Sequence, residues 1–302
     1  MVNFKNLLAL IALLFILSGC GQGVADTSDK IDEPVNRSVI ETSEEPTETT
    51  NDEVELEAQS ELETPVSTPA PEKGQIETKS ISWYLRPNLE HRTPGAPANA
   101  ENMLAKHQGF YVLPNNNKEI YLTFDEGYEL GYTPQILDTL KANNVKATFF
   151  ITGHYIKSQP HLVTRMVKEG HMVANHTWNH PNLAKITTEK LNEEIRSLEN
   201  EFLSLTGTQM GRYMRPPEGA YSEASLIATK ELGYKTVFWS IAFNDWDPNN
   251  QPGADFSHKY VTDHIHPGAV ILLHAVSESN TEALESIIVD LKEDGYKFSL
   301  FN

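Results

Sequence analysis

Between residues 119 and 300 the apolar positions fall in short runs whose spacing alternates between two and about 3.6 residues. Ile120, Leu122 and Phe124 occupy every second position and predict a strand, which Asp125-Glu126-Gly127 ends with two adjacent carboxylates and a turn residue. Helical periodicity follows over 133–142, a strand over 147–151, and a helix over 161–169 closed by Gly170. The series continues with a strand at 172–175, a long helix at 188–206 and a strand at 213–215. A serine-capped helix at 222–232 then leads to a strand at 235–239. After a loop come a helix at 257–265, a strand at 269–273, a helix at 281–293 and a final strand at 297–300. Repeated β-then-α units of this size argue for an α/β fold with a parallel sheet, closed or nearly closed into a barrel. No internal sequence repeat accompanies them.

The chain before residue 119 is patterned differently. Residues 81–118 are irregular, with Trp83-Tyr84, proline-rich turns around 92–97 and a short strand near 110–113, and are assigned to a wrapping N-terminal arm of the 81–302 domain. Residues 21–80 are rich in Glu, Thr, Ser and Pro and carry 16 acidic against 4 basic residues, most of the chain's net charge of −18. Such a segment buries too little apolar surface to offset its ordering entropy and is expected to be a disordered, self-repelling tether. An acidic interaction tail is the alternative.

Residues 1–20 place Lys5 before an apolar run at 7–17, which has the proportions of a signal-peptide core and is short for a membrane span. Leu17-Ser18-Gly19-Cys20 at its end resembles the lipobox of bacterial lipoproteins, which implies lipidation of Cys20, a membrane anchor and an extracytoplasmic location facing the cell wall. An ordinary secretory signal or an uncleaved anchor stays open. With one cysteine the chain forms no intrachain disulfide, so its apolar core must hold the exported domain. From residue 81 on, 26 acids meet 19 bases without a basic patch, which speaks against nucleic acid as a partner. A monomer is expected.

In parallel barrels the functional groups gather where strands run into βα loops. Polar residues here follow that rule: Asp125-Glu126, His176-Thr-Trp-Asn-His180, Arg215-Pro-Pro-Glu-Gly219, Asn244-Asp245-Trp246-Asp247 and His274 each follow a predicted strand. Taken singly each has a bland reading, as a solvated turn, two surface histidines, a strand-end turn, a capped loop or a satisfied near-core histidine. Two histidines four apart can also face one metal ion. His154, His171, His264 and His266 lack a strand end with a second ligand and stay with the bland reading.

The five segments in this order resemble the polysaccharide deacetylase family, the NodB-type carbohydrate esterases. Thr123-Phe-Asp-Glu-Gly127 resembles its TFDDG motif, His176 to His180 its HSxxH motif and Arg215 to Gly219 its RxPxG motif. Asp245-Trp246 resembles the fourth motif and Leu272-Leu-His274 the fifth. The resemblance covers roughly 119–300. It implies a distorted (β/α) barrel and divalent-metal-dependent removal of acetyl groups from acetylated sugars. Within the family, segments 127–133, 238–246 and 266–274 look like the peptidoglycan muramic-acid de-N-acetylases, which make the precursor of the δ-lactam in spore cortex.

On that reading the partner is the peptidoglycan glycan strand. Hydrolysing its acetamide requires a polarised carbonyl, an activated water and a proton for the departing amine. His176 and His180 are expected to hold the metal, with Glu126 as third ligand where the family has a second Asp. Zn²⁺ suits these donors first, and Mn²⁺, Co²⁺ or Ni²⁺ nearly as well. Asp125 is expected as general base beside Arg215, and His274 as general acid with its pKa raised by Asp245. Backbone near Glu218 is expected to help stabilise the oxyanion, and Leu272 and Trp246 to line the sugar site, with Trp178 and Trp239 as further candidates for a sugar-stacking wall and core packing the favoured role for Trp239. Two rivals remain: a deacetylase of N-acetylglucosamine, and an inactive glycan-binding surface lipoprotein in which Glu126 has spoiled the metal site.

Overall fold

The computed structural model describes residues 78–115 and 117–302. The expectations for the signal segment, Cys20 and nearly all of the acidic tether lie outside the described residues. Among the described residues no helix is long and apolar enough to cross a membrane.

The described chain runs β1 (Ile81–Ser82), α1 (Ala100–Lys106), β2 (Glu119–Glu126), α2 (Thr133–Ala142), β3 (Thr148–Ile151), α3 (Gly153–Ser158), α4 (Pro160–Lys168), β4 (Met172–Asn175), α5 (Thr188–Thr206) and β5 (Gly211–Met214). It continues with β6 (Ala220–Tyr221), α6 (Glu223–Glu231), β7 (Lys235–Thr236), α7 (Ala254–His264), β8 (Val270–His274), α8 (Glu278–Glu293) and β9 (Lys297–Phe298). The main sheet is parallel in the order β7-β5-β4-β3-β2-β8, with β9 added to the start of β2. The expected strand at 235–239 is split. Its first two residues pair with β5, and the chain then crosses to β8, where Ser240 N donates to the Val270 carbonyl and Leu272 N to that of Ile241. This crossing joins the sheet's two edges into the distorted barrel that the sequence pattern implies.

Which side of β2 each residue faces decides the site. Ile120, Leu122 and Phe124 pack into the large core between sheet and helices, with Phe149 and Ile151 of β3 and Leu284 and Ile288 of α8. The intervening Tyr121 belongs to a second cluster with Phe150, Ala174, Tyr213, Val237, Val270 and Phe301 inside the barrel. Both faces of the strand are buried, as expected for a central parallel strand. Period-2 alternation therefore turns Thr123 and Asp125 toward the barrel interior, and Glu126 toward the helices.

Local capping agrees with the sequence where it is explicit. Thr187 Oγ1 accepts from Lys190 N to start α5, Gly207 closes it in the left-handed region, and Ser222 with Ser225 forms a capping box on α6. In the arm, the expected strand near 110–113 is reduced to single bridges at Phe110 and Val112, and α1 stands where irregular chain was expected. The arm packs Trp83 against Tyr111, Tyr221 and Phe238 in a cluster of its own.

Candidate active site

A cavity of about 710 Å³ opens where the strands end, and Asp125, His176, His180, Glu218, Trp246, Leu272 and His274 all line it. Arg215 and Asp245 sit behind this wall. The sequence-predicted residues thus separate into groups that face the cavity and groups that hold them.

Asp125 is held from behind. Arg215 Nη1 donates to Asp125 Oδ1 at 2.7 Å, Arg215 Nη2 donates to Thr123 Oγ1 at 2.9 Å, and Thr123 in turn donates to the Ile271 carbonyl at 2.6 Å. The guanidinium is closed to solvent and lies 4.1 Å from the centroid of the Phe150 ring. Burial alone would raise the Asp125 pKa, but the Arg215 charge, helped by His176 and His274, holds it below the ordinary carboxylate value.

His176 leaves β4 with its Nδ1 2.8 Å from the Arg215 carbonyl. A carbonyl only accepts, so Nδ1 carries the proton and Nε2 presents a lone pair, 3.6 Å from Asp125 Oδ2. Burial pushes the His176 pKa down to about 4 and keeps the ring neutral. The His180 ring stands 4.8 Å from that of His176 at 77°. Thr177 and His180 both have positive φ, the compact turn that brings the two rings together. Buried Glu194 fixes this turn by accepting from Asn179 N at 2.6 Å and Asn179 Nδ2 at 2.8 Å, while Asn175 Oδ1 accepts from Thr177 N.

His274 ends β8. Its Nδ1 lies 2.7 Å from Asp245 Oδ1 and its backbone N–H donates to Asp245 Oδ2 at 2.9 Å, which leaves Nε2 free toward the cavity. Asn280 Nδ2 donates to the same carboxylate at 2.5 Å. Burial works against the imidazolium, yet the Asp245 charge and hydrogen bond outweigh it and raise the His274 pKa above its ordinary 6.5.

The structure corrects one assignment. Glu126 does not join His176 and His180: its carboxylate is buried on the helix side of β2, 3.4 Å from Thr133 Oγ1. Thr133 also bonds Glu129, and Tyr155 donates to Glu129 at 3.2 Å, so buried Glu126 and half-buried Glu129 share one polar cluster. Desolvation, and then the Glu129 charge, push the Glu126 pKa well above 4.5. The cause is strand alternation, which sends 126 away from the cavity that 125 faces. Among the described residues no group of three or more His, Cys, Asp or Glu is arranged to hold a metal ion. The donors present fit a two-imidazole site: His176 has a fixed tautomer and an available Nε2, and His180 stands beside it.

Glu218 has φ 58° and lines the cavity beside Pro216. Gly219 follows at φ 65°, packed so closely against Trp239 and Trp83 that a Cβ would collide with both. Trp239 and Trp246 line the cavity, whereas Trp178 lines a neighbouring one. Asn175, Glu194, Asn280 and Thr123 were not singled out in the sequence. Glu194, Asn280 and Thr123 act through contacts 15 to 148 residues apart, Asn175 through a turn contact to Thr177, and only Thr123 stands inside a recognisable motif.

A parallel barrel with paired histidines, a carboxylate–arginine pair and a carboxylate–histidine pair at one mouth defines a hydrolase-type site. The family model described as polysaccharide deacetylase matches residues 113–237. The Peptidoglycan-N-acetylmuramic acid deacetylase PdaA of Bacillus subtilis is 45% identical over 223 residues, 74% of this chain and 85% of that protein. Its solved structure, a family 4 carbohydrate esterase, superposes with a TM-score of 0.72 over 74% of this chain and 95% of that one. A family 4 carbohydrate esterase from Bacillus anthracis is 44% identical, with a TM-score of 0.62. A Peptidoglycan-N-acetylglucosamine deacetylase from Bacillus cereus is 38% identical over 61% of this chain and 67% of its own length. The protein belongs to the polysaccharide deacetylase family.

Proposed function

We propose that the protein hydrolyses the acetamide of N-acetylmuramic acid in peptidoglycan glycan strands, releasing acetate and leaving a free amine. The observation that carries this reading is the pairing across one cavity of an ionised carboxylate, Asp125, with a histidine whose pKa is raised, His274. The 45% identity to a muramic-acid deacetylase supports the choice of sugar.

His176 and His180 would hold a divalent ion, Zn²⁺ on donor chemistry with Mn²⁺, Co²⁺ or Ni²⁺ as alternatives, which when bound polarises the acetamide carbonyl and activates water. Asp125 takes the proton of the attacking water, and Arg215 keeps that carboxylate ionised and aimed. His274, protonated and oriented through Nδ1 by Asp245, delivers a proton from Nε2 to the departing nitrogen. Glu218 lines the cavity, and its backbone N–H would help stabilise the oxyanion. Leu272 and Trp246 supply apolar surface for the sugar. Lipidation of Cys20, with residues 21–80 as a tether toward the wall, completes the proposal.

The test is acetate release from peptidoglycan by the full-length protein, with and without chelator. Release that chelator abolishes and added metal restores supports the reading. Chelator-resistant release contradicts the metal part, and no release contradicts the activity.

A further inference from the structure

A second cavity, of about 560 Å³, adjoins the first and shares Gly127, Tyr128 and His180 with it. Its remaining walls come from the start of α3 and the histidine turn, including His154, Lys157 and Trp178. The Trp178 ring lies so close over Gly153 that no Cβ fits there, and Gly153 N donates to the Trp178 carbonyl at 3.0 Å. One turn along α3, Lys157 Nζ stands 5.8 Å from the centroid of the same ring. Glu201 steadies that ammonium at 2.8 Å, with the lysine side chain still 55% exposed. The cavity therefore has an apolar aromatic face and a half-solvated cation.

Charge distinguishes the two cavities. No lysine or arginine lines the first, whose carboxylates are Asp125 and Glu218, and Arg215 is buried behind Asp125. In the second cavity Lys157 offers a substrate carboxylate an attractive countercharge. Muramic acid differs from glucosamine by a lactyl ether on the ring carbon next to the one bearing the acetamide. The acetamide and the lactyl ether stand on adjacent ring carbons, so a ring with its acetamide at His176 and His180 can turn its lactyl group toward the wall that both cavities share.

We propose that the second cavity receives the lactyl carboxylate of the reacting muramic acid, with Lys157 as its countercharge and Trp178 as its apolar face. Lys157 is then a determinant of muramic acid over glucosamine. This rests on the proposed deacetylation at the first cavity.

The test compares full-length wild type with Lys157→Gln and Lys157→Arg on muramic-acid-containing glycan freed of peptide stems. Chitooligosaccharide, as substrate or competitive inhibitor, reports the first cavity without a lactyl group. The expected result is that Lys157→Gln lowers kcat/KM on the muramic glycan about tenfold, mainly through KM, the scale of one charge-assisted hydrogen bond at a half-exposed site. Chitooligosaccharide affinity should be unchanged, and Lys157→Arg should retain most of the muramic activity. Unchanged muramic kinetics in Lys157→Gln, or equal weakening toward both glycans, overturns this inference and leaves the proposed function standing. Wild type that releases no acetate from the muramic glycan overturns both.

Discussion

Asp125 and His274 are register partners in the parallel β2–β8 ladder. Partners in one ladder turn their side chains to the same face, so one strand pairing sets the proposed base and the proposed acid at the same mouth. Each is backed by one buried group of opposite charge, Arg215 for the base and Asp245 for the acid.

The acid's partner should be visible in the pH–rate profile. His274 must be protonated to donate, so activity falls as pH rises through its pKa, which Asp245 holds above 6.5. Asp245→Asn removes that charge and leaves burial to act, so the alkaline limb of kcat should move to lower pH. Rate at neutral pH should drop by about 10²-fold or more, the scale of a general-acid contribution. An alkaline limb that stays in place would show that another group sets it.

Glu126 is expected to matter for stability and little for catalysis. Its folded pKa is raised well above 4.5, so between 4.5 and that pKa the unfolded chain loses a proton that the folded protein keeps. Stability is therefore full below about pH 4.5 and is lost as pH rises toward the folded pKa. Glu126→Gln should keep activity within a few-fold and raise the melting temperature at pH 7 relative to wild type, with less gain at pH 4. Loss of metal affinity in this variant, measured by titration calorimetry, would restore Glu126 as a ligand.

How much of this was legible in the sequence depends on distance along the chain. The spacing of Ile120, Leu122 and Phe124 predicted β2, helical periodicity gave α5, and the serine cap at Ser222 gave the start of α6, both helices close to their observed bounds. The five motifs pointed to one cavity, which Asp125, His176, His180, Glu218, Trp246 and His274 line. What misled was Glu126: a motif compares residue types, whereas strand alternation decides which of two adjacent acids faces inward. The split at 237–241 was missed because barrel closure is a long-range pairing with no local signal. Helix α1 is only seven residues long and begins after a left-handed Asn99, so too few turns were present to show a period.

The arm should be part of the catalytic domain. Trp83 Nε1 donates to the Trp239 carbonyl at 3.1 Å, and Trp83 N to the Gly219 carbonyl at 2.9 Å, so the arm bears directly on two segments of the site. Trp83→Ala should cost about 3–5 kcal/mol of stability, the scale for truncating a buried aromatic. Denaturant unfolding followed by circular dichroism measures it. A cost under 1 kcal/mol would mean that the arm packs independently of the barrel.

Cys20→Ser should move the protein from the membrane fraction to the soluble extracytoplasmic fraction and abolish labelling by a radioactive fatty acid. Persistent membrane association without labelling would favour an uncleaved hydrophobic anchor.

The central claim is that Asp125 and His274 remove acetyl groups from muramic acid. Its most direct test is to treat stem-free glycan strands with wild type, Asp125→Asn and His274→Ala, each checked for folding by circular dichroism, and to identify the deacetylated sugar by mass spectrometry. The account predicts free amine on muramic acid with wild type, and a loss of at least about 10²-fold in each variant. Deacetylation confined to glucosamine, or undiminished turnover in either variant, would contradict it.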